Sequence, residues 1–334
     1  MSVELLNFIE TVLNGLMSGV MYSLVALGFV LIFKASGVFN FAQGVFALFA
    51  ALTLVGYQTG QVPFAHVINE LFGTNYHNWY ASMPNFLAII LTMITMIALA
   101  WIIERLVLKH LVNQDPIILF MATIGLAFAL EGVGDLMWGS DVKVLDVGIP
   151  SGGSVWLEEV TIGLAAEGSD YYGMYIDVLN VWATIIAVIL VITLALFSQY
   201  TKTGRALRAV ADDHQAALSV GISLRTIWIL VWAISGFIAM VAGIMWGTES
   251  GVQFSLSLIA LKALPVLILG GFTSIPGAII GGLLIGVGEK LAEIYIGGYF
   301  ETGALENWFA YVMALVFLLF RPQGLFGDKI IERV

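Results

Sequence analysis

Cysteine is absent from this 334-residue chain, and charge is scarce. Without cysteine there are no disulfides, no thiolate metal sites and no cysteine nucleophile. Only 11% of the residues are charged, against about 25% in an ordinary soluble domain. Basic residues are the scarcer sign, 13 against 23 acidic, for a net charge of -10. That balance excludes nucleic acid as a partner, because phosphates demand a basic face. His66, His77, His110 and His214 are scattered, with no i, i+4 pair for a metal, so no metal site is expected. Phosphate-loop, H-E-x-x-H and G-x-S-x-G patterns are missing, which leaves no catalytic set to assign. If ATP is used, another chain must bind it. No basic residue precedes Lys34, while Glu4 and Glu10 do. A cleavable signal peptide is therefore not expected, and the first apolar run reads as a retained span.

What is present is apolar. Hydrophobic residues make up 60% of the chain, and the mean hydropathy is +0.98. Lipid must be the solvent for much of that surface. Windows of roughly 20 apolar residues predict an all-α, polytopic transmembrane bundle of about eight or nine spans. They run from Leu5 to Phe33, Phe39 to Tyr57, Pro84 to Ile103, Pro116 to Trp138 and Val178 to Ser198. Four more follow, Thr226 to Gly247, Ser257 to Phe272, Pro276 to Ile296 and Trp308 to Phe320. The seventh is short and holds Lys262 and Pro265, so a broken or re-entrant helix is expected there. Asp115-Pro116 and Ser274-Ile275-Pro276 have the form of helix starts.

Basic residues set the orientation. Lys34 follows span one; Arg105, Lys109 and His110 follow span three. Lys202, Arg205, Arg208 and Arg225 lie between spans five and six; Arg321, Lys329 and Arg333 follow span nine. Alternate crossings put all of these on one side, which predicts an outside N-terminus and a cytoplasmic C-terminus. Residues 1–334 read as one membrane domain. Its exported loops are 58–83 and the acidic 139–177, and its cytoplasmic segment is 199–225.

The stretch Arg205 to Val220 lacks Gly and Pro and suits a short helix, with Arg205 and Arg208 on one face. Two readings stand: it seats in a partner's groove, or its arginines meet anionic lipid heads. Ionisable residues inside spans are costly and mark pathways or pairs. Glu131, Lys262 and Glu289 qualify, with Asn40 and Gln43 as polar neighbours. Lys262 either pairs with Glu289 or snorkels outward. Gly277 with Gly281, Gly282 with Gly286, and Gly15 with Gly19 have the i, i+4 spacing of close helix packing.

Four stretches in order resemble the LivH-type permeases of branched-chain amino-acid ABC transporters. Asn40-Phe41-Ala42-Gln43-Gly44 is similar to that family's early motif, where histidine often replaces the glutamine. Gly204-Arg205-Ala206, Arg208-Ala209, Asp212-Asp213 and Gly221-Ile222 resemble its ATPase-coupling segment. Leu269 to Ala278, continued by Gly281-Gly282, Gly286 and Glu289, resembles its glycine-rich motif, and Arg321 to Gly327 its C-terminal end. The resemblance implies a multi-pass importer subunit of the bacterial inner membrane that works by alternating access. It implies a second homologous permease, two ATP-binding subunits carrying ATP and Mg, and an extracytoplasmic solute-binding protein. It also favours partner coupling over lipid contact for the Gly204 to Gly221 segment. The exported loops depart from the pattern in length and acidity, and the binding protein is the contact expected for them. Urea or short amides are the alternative solutes. An ion-coupled carrier using Glu131 or Glu289 is the rival from another class.

Overall fold

The computed structural model describes residues 2–74, 78–80, 82–111, 114–164, 171–212, 214–299 and 305–327. Among these, thirteen α-helices and three short 3-10 turns account for the architecture, with only isolated β-bridges besides. In chain order the helices are α1 (Val3–Ser36), α2 (Gln43–Thr59), α3 (Ala65–Phe72), α4 (Asn85–Leu106) and α5 (Pro116–Trp138). Then come α6 (Val155–Leu164), α7 (Val178–Tyr200), α8 (Lys202–Asp212), α9 (His214–Ser219) and α10 (Leu224–Ser250). The chain ends with α11 (Ile259–Gly270), α12 (Ile275–Tyr295) and α13 (Leu305–Phe320).

Each of the apolar runs coincides with a helix. Six of these helices are long and apolar enough to cross a membrane. The seventh run is broken, as expected. A 3-10 turn, Phe254–Leu258, leads into the 12-residue α11, which holds Pro265. At 1.5 Å per residue α11 is about 18 Å long, short of the roughly 30 Å of hydrocarbon. Pro116 opens α5 at a position where its missing N–H costs nothing. Ser274 caps α12, its hydroxyl accepting from the Gly277 N–H at 3.0 Å.

The chain forms two compact units. One holds Leu27–Gly148 and Leu194–Leu261. Its centre is α2, packed on α4, α5 and α10. From Gln43 to Gly56 every α2 residue is buried, which fits a helix apolar on all sides. By contrast α4 and α5 leave Phe86, Ile117 and Phe128 exposed, as helices facing lipid do. The other unit holds Met1–Ala26, Ile149–Thr193 and Lys262–Val334. There α12 packs on α13. After α13 the chain turns back: the Leu325 N–H donates to the Leu269 carbonyl at 2.8 Å, and the Phe326 N–H to Gly270 at 3.2 Å. Those bonds satisfy carbonyls that the end of α11 would otherwise leave open.

Candidate functional site

In the first of these units the segment between α7 and α10 is not one helix but two. Thr201 starts α8, its hydroxyl accepting from the Gly204 N–H at 2.9 Å. Gly204 is buried against the end of α7, where an added Cβ would lie 2.7 Å from the Ser198 Cα. Leu207 and Val210 are buried, and α8 packs on α10. Arg205 points out to solvent, and Arg208 reaches back to the Gln199 carbonyl at 3.3 Å. Asp212 ends α8, where only its backbone is described, and Asp213 lies outside the described residues. Gly221 closes α9 with φ +83°, a left-handed conformation that favours glycine. The Ile222 N–H then returns to the Ala217 carbonyl at 3.0 Å.

One ion pair secures this end. Arg225, in the first turn of α10, pairs with Glu104 near the end of α4 at 3.2 Å. Glu104 is 2% exposed and Arg225 53%. A carboxylate so buried needs its partner. Sequence reasoning missed Glu104, because it follows the apolar run and its partner lies 121 positions away.

Deeper in the same unit, Asn40 and Gln43 form one buried polar cluster. The Asn40 Oδ1 accepts from the Ala42 N–H at 3.2 Å and its Nδ2 donates to the Gln43 Oε1 at 3.3 Å. The Gln43 Nε2 donates to the Ser235 carbonyl at 3.3 Å. The Ser235 hydroxyl lies 2.7 Å from the Gln43 Oε1 and 3.1 Å from the Gly28 carbonyl, two acceptors for one proton. A Cβ at Gly28 would collide with the Gln43 amide. Thr123 of α5 accepts from the Phe41 N–H at 3.1 Å, and Phe39 stacks on Phe29 at 5.1 Å. The non-helical backbone before α2 is thus enclosed by protein, as a break at membrane depth must be. Gln43 meets Gly28, eight residues before the end of α1, so α2 starts about 12 Å back along α1. Ser235 and Gly28 were not singled out in the sequence; a lone serine in an apolar run is the one signal there. Glu131 stands half-buried on α5, about 12 Å along the helix from Thr123.

Lys262 and Glu289 belong to the other unit. The Lys262 Nζ lies 5.7 Å from the Tyr22 ring centroid and 3.5 Å from its hydroxyl. That is a cation–π placement. Glu289 is 1% exposed on α12, within electrostatic reach of Tyr311 on α13. The glycines of α12 serve two neighbours. A Cβ at Gly281 would lie 2.6 Å from the Val266 carbonyl oxygen of α11, and one at Gly277 2.8 Å from the Gly270 carbonyl carbon. On the other side, a Cβ at Gly282 would lie 2.6 Å from the Gly19 carbonyl oxygen of α1, and one at Gly286 2.6 Å from the Gly19 Cα.

A family model described as branched-chain amino acid transport system / permease component matches residues 11–321. The chain is 27% identical to the high-affinity branched-chain amino acid transport system permease protein LivH of Escherichia coli K12, over 100% of both chains. It is 27% identical to the permease protein BraD of Pseudomonas aeruginosa, a high-affinity branched-chain amino acid transport system component, over 99% of both. A probable branched-chain amino acid transport permease protein LivH of Methanocaldococcus jannaschii is 30% identical, over 91% of this chain and 88% of that one.

Proposed function

The chain belongs to the branched-chain amino acid transport system permease family, and we propose that it passes leucine-like amino acids inward across a bacterial inner membrane. It is a multi-pass permease subunit of an ABC importer, not an enzyme. Its proposed companions are a second homologous permease, two ATP-binding subunits that hold ATP and Mg, and an extracytoplasmic solute-binding protein. The side carrying Lys34, Arg105, Lys202, Arg205, Arg208, Arg225 and Arg321 is cytoplasmic in this reading, with the N-terminus outside and the C-terminus inside.

One observation carries the coupling role. α8 is seated on α10 by Leu207 and Val210 while Arg205 stays exposed. A short helix with a packed inner face and a charged outer face transmits a push instead of absorbing it. Closure of the ATP-binding subunits would press on α8 and α9 and move α10, shifting access from outside to inside. The Asn40–Gln43–Ser235 cluster lies between α10 and the start of α2, in position to follow that movement. The acidic residues of 139–177 then face outward, towards the binding protein.

The reversal Arg205→Glu with Arg208→Glu should lower ATP-driven uptake roughly tenfold, because like charges placed at an interface repel. The protein should still reach the membrane, which a membrane-fraction blot checks; normal uptake would refute the coupling role. Uptake of labelled leucine in cells lacking the gene, with and without it restored, tests the solute. Restoration blocked by isoleucine and not by urea supports the proposal. Restored urea uptake in place of leucine uptake would move the solute to the amide class. A lone ion-coupled carrier would copurify without ATP-binding subunits.

A further inference from the structure

At the end of α10 away from Arg225 the same unit has a cleft of about 320 Å³. That is the small end of the roughly 300–1,000 Å³ typical of ligand clefts. Its polar lining includes Asp141, Lys143, His66, Gln61, Asn69 and Asn78, and Trp138 borders it. The cleft combines one carboxylate, one ammonium group and three amides in a volume suited to a single small molecule.

The walls are held from several directions. The Lys143 backbone is locked to Val252, two residues past α10, by reciprocal hydrogen bonds of 2.9 and 2.8 Å. The Gln61 Nε2 donates to the Trp138 carbonyl at 3.1 Å. The Phe64 N–H donates to the Met137 carbonyl at 2.9 Å, which ties the start of α3 to the end of α5. Phe64 itself has φ +61°, the one non-glycine among the described residues in the left-handed region. Such a conformation costs about 1–3 kcal/mol and persists where its surroundings over-determine it. Here it turns α3 so that His66 and Asn69 line the cleft. Burial holds the Lys143 ammonium group below the ordinary lysine range, and the nearby charge of Asp141 opposes that shift.

We infer that this cleft is an outer receiving site for a zwitterionic α-amino acid, with Lys143 taking the carboxylate and Asp141 the ammonium group. The inference rests on the importer reading above, which places this end of α10 outside. The 27 residues of α10 put about 40 Å between the cleft and the Arg225 end. The cleft is therefore on the face where solute is delivered. Opposite charges select among solutes. An anion alone gains Lys143 but is opposed by Asp141, and a cation alone gains Asp141 but is opposed by Lys143. Each therefore binds more weakly than a molecule carrying both charges and competes only at high concentration. A neutral solute such as urea gains little from either. Only a molecule carrying both charges is attracted by both, through charge-assisted hydrogen bonds. The amides of Gln61, Asn69 and Asn78 can add hydrogen bonds.

The test uses the assembled importer in lipid nanodiscs, without binding protein. Equilibrium binding of radiolabelled leucine is measured for the unaltered assembly, Asp141→Asn and Lys143→Met. Isocaproate supplies a carboxylate alone as competitor, and isoamylamine an ammonium group alone. Leucine should bind, and each substitution should weaken it roughly tenfold. Isocaproate competition should be lost only in Lys143→Met, and isoamylamine competition only in Asp141→Asn. The competition pattern of the unaltered assembly keeps the test decisive if a variant fails to assemble: competition by neither compound overturns the inference. So does leucine binding equal in all three proteins, or undetectable at millimolar leucine. So does loss of stimulation by the binding protein with leucine binding unchanged, which would make the cleft a protein contact. Failure of the importer reading is a separate result: unaltered proteoliposomes with binding protein and ATP would then take up no leucine.

Discussion

Arg225→Ala is expected to destabilise the protein by about 3 kcal/mol and to uncouple ATP hydrolysis from uptake. Glu104, 2% exposed, would be left with its charge and without its guanidinium partner. Breaking a buried pair from one side costs about 3–5 kcal/mol, since the remaining charge has lost both water and its counter-ion. The lower figure applies because Arg225 is itself half exposed and part of its charge is already met by solvent. Replacing both, as Glu104→Gln with Arg225→Gln, removes the stranded charge and should recover most of the stability. Thermal unfolding of the purified protein in lipid, for Glu104→Gln, Arg225→Gln and the double, gives the coupling energy directly. Uptake need not recover with it, because the pair joins α4 to the first turn of α10, beside the α8–α9 segment proposed to receive the push. A single Arg225→Ala protein as stable as the unaltered one would mean that Glu104 is not held by this contact.

Gly286→Ala should cost about 3 kcal/mol, a large effect for one methyl group. The added carbon would sit 2.6 Å from the Gly19 Cα and also overlap the Gly15 carbonyl oxygen and the Gly19 nitrogen. All of these are backbone atoms, so no side-chain rotation relieves the overlap and the two helices must separate. Overpacking ordinarily costs about 1–3 kcal/mol, and a backbone-on-backbone overlap belongs at the upper end. Gly288, two residues on, provides the comparison. Its Cβ would approach the Met313 sulfur at 3.0 Å, and methionine adapts readily. Gly288→Ala should therefore be close to neutral. Yields of folded protein after mild heating compare the two; equal losses would remove the close approach to α1 as the cause.

Much of this architecture is legible in the sequence for a simple reason. In lipid a helix must satisfy its own backbone, so a long apolar run has one structural outcome. Proline adds punctuation that can be read directly: Pro116 opens α5, Pro276 follows the Ser274 cap, and Pro265 marks the short α11. The glycine spacing in α12 is equally visible, but not the division of labour between Gly277 with Gly281 and Gly282 with Gly286. That division depends on which helix lies on each side. Long-range partners are hidden for the same reason. Nothing near Glu104 in the sequence points to Arg225, and nothing near Lys262 points to Tyr22. The helices α3 and α6, inside segments read as loops, are too short for periodicity to outweigh their polar surroundings. The division of the Arg205–Val220 stretch into α8 and α9 has no glycine or proline to announce it.

The return of the chain after α13 has a mechanical consequence. With Leu325 and Phe326 bonded to the last carbonyls of α11, the helices α11, α12 and α13 form a closed linkage in place of an open chain of rods. A tilt of α13 is carried to the α11–α12 corner through two hydrogen bonds without first passing along α12. A flexible insertion between Phe320 and Gly324 would turn that linkage back into a free end.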